Sequence, residues 1–271
     1  MVDKRSALKQ GQVDILNLLY TYRFGSRRLL AGSLGITAGS SLHEKLQVLI
    51  KHDYIGKRQD RKLKLHGVPA AYYLTPKGLR LLQSLPDHTY ITDAVIKGSY
   101  KDSSVTQSFV THTLCMYALT NTLKVFYPTL KVFMRRDMNR YSYFPSPPPD
   151  AFVSLRAEDQ KAPLRFFFDL IPENLPIKPL FQRITKYAEF FEEDGWVKVS
   201  KEPPTLLLVG ETGATERRMR RTIKAALYKA EIDEDLTVLT TTIPAIENIS
   251  DEGKIWTSLD DPDELLALTE V

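Results

Sequence analysis

Along the first third of the chain, apolar residues recur at helical rather than strand spacing. Val13, Leu16, Leu19 and Tyr20 mark one helix. Leu29, Leu30 and Leu34, after a capping Ser26, mark a second. Leu42, Leu46, Leu49 and Ile50 mark a third, over about residues 38–52. Between the second and third lies Leu34-Gly35-Ile36-Thr37, a tight turn whose glycine suits a helix C-terminus. The period then shortens. Lys57 to Lys64 and Ala70 to Leu74 read as two short strands, and Thr75-Pro76-Lys77-Gly78 opens a further helix with proline at its first position.

Helix, helix, helix, two strands, helix is the order of a winged helix-turn-helix, and it predicts that module over residues 1–90. With Leu42, Leu46 and Leu49 turned inward, the third helix presents Ser40, Glu44, Gln47 and Lys51 outward, with Ser41 and Lys45 on its flank. These are the residues expected to meet a major groove. Lys57, Arg58, Arg61, Lys62 and Lys64 form the basic edge of the expected wing, where phosphates would pass. Charge agrees with that placement. Residues 1–100 hold 16 Lys+Arg against 7 Asp+Glu, a balance of +9, whereas the whole chain is only +4, so the remaining 171 residues sum to −5. Phosphate contacts supply most of the affinity for nucleic acid, so double-stranded DNA is the expected partner. The same module also serves as a protein-interaction surface, and a charge run is often simply a solvated face.

Residues 86–104 are polar and irregular, and the boundary is expected there, leaving an α/β domain over residues 91–271. A helix over about 104–127 should open it, carrying Phe109, Leu114, Tyr117, Ala118 and Leu123 on apolar faces, with His112 between two threonines. Two β-type runs follow, Asp150 to Leu155 and Leu164 to Leu170, joined by a polar turn centred near 159–160. Further on come a helix over 180–191, an apolar strand over 204–209, a helix led by Thr215 and a β-prone stretch over 236–242.

The hairpin carries the candidate chemistry. Antiparallel pairing about that turn sets Asp150 almost opposite Asp169. Adjacent carboxylates repel unless positive charge lies between them, and hard oxygen ligands suit magnesium or manganese. Pro149-Asp150 on one strand with a second acid on the next is also the arrangement of PD-(D/E)xK nucleases, in which a metal polarises a phosphodiester and activates water. That motif needs a lysine two positions after the second acid, where this chain has Ile171. Lys186, on the following helix, is the candidate replacement that would stabilise charge on the attacked phosphate. The bland alternative is that Asp150 ends a proline run as a turn residue and Asp169 terminates a strand.

Other features narrow the field. Gly210-Glu211-Thr212-Gly213 lacks the pattern of a P-loop or a dinucleotide fold and reads as a strand-to-helix turn capped by Thr215. The run Arg217-Arg218-Met219-Arg220-Arg221 is either a second DNA-facing stripe or a solvated helix face. The five histidines form no metal-ligand spacing and no His-x-His pair. A single cysteine, Cys115, allows no intrachain disulfide and reads as core. No stretch approaches the roughly 18 apolar residues of a membrane span, and the N-terminus lacks a signal-peptide pattern, so a cytoplasmic protein is expected.

Taken together, the first domain, the helix Val110-Thr111-His112-Thr113-Leu114, Pro149-Asp150, the strand ending in Asp169, the helix with Lys186-Tyr187 and the arginine-rich helix resemble the replication-relaxation family of plasmids and bacterial mobile elements. In that family the strand reads Glu-x-Asp, whereas this chain has Phe167-Phe168-Asp169, which removes one potential metal ligand. The resemblance implies a winged helix followed by a nuclease-like mixed-sheet α/β domain, and a role in replication initiation, relaxation or mobilisation. Replication or conjugation proteins and a second copy of the chain are the further partners it admits. Two other functions stay open: a metal-dependent DNA nickase using Asp150 and Asp169 with Lys186, and a winged-helix transcriptional repressor that dimerises through its second domain.

Overall fold

The protein, described here from a computed structural model, is a mixed α/β chain with a helical N-terminal part and a mixed sheet. The structure describes residues 8–60, 64–65, 67–157, 162–230, 236–250 and 252–271. Arg61, Lys62 and the expected turn centre at 159–160 lie outside these. Contacts divide the chain into two compact units, Met1–Ala118 and Leu119–Val271.

In the first unit α1 (Gln10–Tyr22), α2 (Arg27–Ser33) and α3 (Ser40–Lys51) appear where the periodicity placed them. Leu16, Leu19, Leu30, Leu42, Leu46 and Leu49 are wholly buried. The local signals act as expected: the Ser26 hydroxyl accepts the Leu29 amide at 3.3 Å, and Gly35 takes the left-handed φ of 62° that a side chain would resist. The sheet has one strand more than the sequence indicated. β1 (Phe24–Ser26), a three-residue segment between α1 and α2, pairs antiparallel with β3 (Ala71–Leu74), which also pairs with β2 (Ile55–Arg58), giving the order β1-β3-β2. Thr75 then caps α4 (Pro76–Gln83), accepting the Gly78 amide at 3.1 Å while donating to the Asp53 carbonyl at 2.6 Å. Gly78 is required there, because a Cβ at that position would run into the Tyr54 carbonyl oxygen.

The segment expected to be an irregular link is ordered and packs with this unit. It forms a 3-10 turn at Pro86–His88, α5 (Asp93–Ser99) and a second 3-10 turn at Tyr100–Ser103, leading into α6 (Gln107–Phe126). Specific contacts explain why the boundary falls at residue 118 rather than near residue 90. Arg23 donates to the wholly buried carboxylate of Asp102 from Nε at 2.9 Å and Nη2 at 2.6 Å. Tyr117 stacks on Tyr22 with centroids 3.6 Å apart and shares a hydrogen bond with the Ser33 hydroxyl at 2.7 Å.

The second unit is built on a seven-stranded sheet in the order β10-β9-β8-β7-β6-β5-β4. Its strands are β4 (Lys131–Met134), β5 (Ala151–Leu155), β6 (Leu164–Ile171), β7 (Thr205–Gly210), β8 (Val238–Thr242), β9 (Trp256–Ser258) and β10 (Leu265–Leu266). β6, β7 and β8 run parallel to their neighbours in that group, and the outer pairings are antiparallel. Parallel central strands are covered on both faces, and β7 accordingly buries Leu206 to Val209 completely. α7 (Arg135–Met138) follows β4, and α10 (Ile243–Glu247) follows β8. α8 (Ile177–Glu192) and α9 (Gly213–Lys229) pack together, with Leu180, Ile184, Tyr187, Met219 and Ile223 joining Phe167, Leu206 and Leu208 in one core. The cap of α9 is Thr212, whose hydroxyl accepts the Thr215 amide at 3.2 Å; the helix starts three residues earlier than a Thr215 cap would have set it, with Gly213 already inside. Cys115 is half-buried rather than core.

Candidate functional site

Two surfaces were singled out by sequence. On α3 the inward row is Leu42, Leu46 and Leu49, which leaves Ser40, Ser41, Glu44, Gln47 and Lys51 exposed. Lys45 is half-buried, its ammonium lying over Gly11 of α1. Lys57 and Lys64 are exposed. Arg58 points elsewhere: its guanidinium donates to the Val105 carbonyl at 2.7 Å and lies 3.4 Å from that of Asp102. It therefore holds the segment after α5 through Nη1.

The second surface is the end of the β5–β6 pair. Ala151 pairs with Phe168, so the next rung sets residue 150 opposite residue 169. Both carboxylates are buried, Asp169 at 1% exposure and Asp150 at 7%. They also bind each other's strands. The Asp150 amide donates to Asp169 Oδ1 at 2.8 Å, and the Leu170 amide donates to Asp150 Oδ2 at 3.1 Å.

Positive charge at this pair comes from two arginines. Arg183 of α8 grips Asp169 in a fork, Nε to Oδ2 at 2.6 Å and Nη2 to Oδ1. Arg135 of α7 pairs with Asp150 Oδ1 at 2.8 Å. Tyr187, one turn beyond Arg183, donates its hydroxyl to Asp169 Oδ2 at 2.6 Å. Burial works against the charge on Arg183, yet Asp169, Tyr187 and Asp150 together outweigh it and the guanidinium is held above its ordinary range. Burial, then the Asp169 charge, also pushes the Tyr187 phenol well up, so it stays an O–H donor.

This donor set does not suit a magnesium or manganese ion. Such an ion needs several oxygen ligands with free lone pairs, while each of these four carboxylate oxygens already accepts from an N–H or O–H, with two guanidinium groups alongside. Among the described residues no group of three or more His, Cys, Asp or Glu side chains could hold a metal. Ile171, at the motif's lysine position, is buried. Lys186 is not brought to the pair; it lies in the exposed row of α8 with Gln182 and Glu189. The sequence carried a partial signal in helical phase: Arg183 and Tyr187, four apart, lie beside the core residues Leu180 and Ile184, whereas Lys186 is turned about 160° away from Ile184 and is exposed. Arg135 gave no local signal at all.

No protein-family model and no curated protein matches the chain. Among solved structures it is similar to the restriction endonuclease FokI bound to DNA, at 11% identity and a TM-score of 0.30, covering 87% of this chain and 43% of that one. A second FokI structure gives 12% identity and a TM-score of 0.30, covering 91% and 44%. The chain thus spans less than half of the FokI chain, and no residue is carried across. No helix among the described residues is long and apolar enough to cross a membrane.

Proposed function

We propose that this protein binds double-stranded DNA through its first unit, used as a winged helix-turn-helix, and that its second unit is a nuclease-like scaffold in which arginines have taken the place of a metal. The observation that carries the reading is the exposed row Ser40, Ser41, Glu44, Gln47 and Lys51 on a helix whose other side is wholly buried. A helix anchored in that way presents short polar side chains and a cation at once, the mixture that reads base edges and holds phosphates. Lys57 and Lys64 add exposed positive charge on the β2–β3 segment. Within this reading the resemblance to the replication-relaxation family points to recognition of an origin or transfer site on a plasmid or mobile element. That finer role rests on the sparse motifs alone.

The test is selection from a random duplex library, followed by fluorescence anisotropy of the selected site over a salt series. Log affinity should fall linearly with log salt. Lys51→Glu with Lys57→Glu should weaken binding to all duplexes and lower the slope by roughly 0.9 for each phosphate no longer neutralised. Gln47→Ala should instead relax the sequence preference. Failure of the wild type to retain any duplex at low salt would sink the reading. Supercoiled plasmid incubated with magnesium or manganese provides the second arm. It should stay closed; metal-dependent nicking abolished by Asp150→Asn/Asp169→Asn would establish the nickase instead.

A further inference from the structure

The four-arginine run of α9 divides into two pairs with different jobs. Arg218 and Arg220 are spent on the fold: Arg218 donates to the Glu173 carbonyl at 2.7 Å, and Arg220 donates to the Ser258 carbonyl at 2.7 Å and the Thr240 hydroxyl at 3.3 Å. Arg217 and Arg221 are exposed, and so is Lys224. Among the described residues no hydrogen bond or ion pair engages these three. Steps of four, three and four residues link Arg217, Arg221, Lys224 and Tyr228, so all four fall on one stripe of the helix, roughly 16 Å long. Tyr228 is 88% exposed, a large aromatic ring standing in solvent at the end of a row of cations. Arg217, Arg220, Arg221 and Lys224, together with Pro262, also line an open depression of about 430 Å³.

We infer that this stripe is a second nucleic-acid site, and that its occupant is a single strand rather than a duplex. Cations recurring about once per helical turn match the order of the phosphate repeat along an extended strand. An exposed aromatic face can stack only on a base that is not already paired, and stacking platforms beside a basic groove are the physical basis of single-strand binding. An open depression lined by four cations leaves room for a flexible strand to follow it. Asp260, Asp261, Asp263 and Glu264 neighbour Pro262 in sequence and are exposed. Two backbone amides, those of Asp263 and Glu264, turn inward onto Asp261 Oδ1 at 3.1 and 3.3 Å. Negative charge beside Pro262 repels a phosphate backbone and so favours the α9 stripe as its path.

The site goes beyond duplex recognition by the first unit and is tested apart from it. A short fluorescein-labelled oligothymidylate is titrated with the full chain, with Arg221→Glu/Lys224→Glu, with Tyr228→Ala, and with Lys51→Glu/Lys57→Glu. The α9 variants are first checked for native tryptophan fluorescence, and the Lys51/Lys57 variant for the wild-type circular dichroism spectrum. The wild type should bind the single strand. Charge reversal on α9 should cost tenfold or more, and loss of the tyrosine about fivefold, the measure of one stacked base. The Lys51/Lys57 variant should bind the single strand as well as wild type does, and the α9 variants should retain the selected duplex. Single-strand binding that is absent, or unchanged by both α9 variants, overturns the proposal. Binding weakened by charge reversal but indifferent to Tyr228 and competed equally by duplex also overturns it, because it describes only a basic surface.

Discussion

Replacing Arg183 with leucine is the sharpest test of the reading that arginines hold the aspartate pair. Asp169 is 1% exposed, and in the variant it keeps only the Asp150 amide and the Tyr187 hydroxyl, with the Asp150 carboxylate next to it. Removing one partner of a buried ion pair costs about 3–5 kcal/mol, because the charge left behind cannot regain water. Set against a typical domain stability of about 5–15 kcal/mol, and a urea dependence of about 2 kcal/mol per molar, the midpoint should fall by roughly 1.5–2.5 M. The assay is selective. The chain has two tryptophans, Trp196 and Trp256, both buried and both in the second unit, so urea unfolding followed by tryptophan fluorescence reports on that unit alone. Asp169→Leu should also destabilise, by stripping the Asp150 amide and the Tyr187 hydroxyl of their acceptor, but it leaves Arg183, whose side chain is 21% exposed and can reach solvent. The double variant Asp169→Leu/Arg183→Leu should therefore cost clearly less than the two single changes added together. A midpoint for Arg183→Leu within about 0.5 M of wild type at unchanged slope would refute the argument, as would strict additivity.

Two further outcomes are expected. Gly78→Ala should lower the stability of the first unit by about 1–3 kcal/mol, read by circular dichroism, because the new methyl forces the start of α4 off the Tyr54 carbonyl; an unchanged melting curve would show that the helix can shift at no cost. Asp137 is pushed above the ordinary carboxylate range by burial, against the opposing pull of the Met134 amide and neighbouring cations. A raised folded-state value means that its unfavourable contribution is complete above that value and disappears as pH falls below the unfolded one, so Asp137→Asn should gain on wild type at neutral pH and lose that advantage on acidification. A stability difference that is constant between pH 7 and about pH 3 would count against it.

What could be read from the sequence followed from how local the information was. α1 to α3, the Gly35 turn and the Thr75-Pro76 helix start are each written within a few consecutive residues, and β7 is a plain apolar run. Asp150 facing Asp169 was also legible, because a hairpin register is simple arithmetic about its turn. β1 and β4 escaped because each is a short segment beside a helix that becomes a strand only through a partner elsewhere in the chain. The same distance hid Arg135 and the role of Arg58. Lys186 was a different kind of miss. The motif names a lysine, whereas the side chains of α8 that meet the pair, Arg183 and Tyr187, are those beside its core row.

The crossed hydrogen bonds between Asp150 and the amide of Leu170, and between Asp169 and the amide of Asp150, bear on how the sheet finds its alignment. β6 is buried on both faces from Phe166 to Ile171, with three phenylalanines in succession. Such a strand has no polar side to be exposed by a slip, so hydrophobic patterning says little about which residue should face which across the β5–β6 pair. The two aspartates supply what the phenylalanines cannot: each finds the other strand's amide at one alignment only, and any shift buries two carboxylates without donors. The pair that in a nuclease would hold a metal acts here as an index mark, telling a featureless apolar strand where to stop.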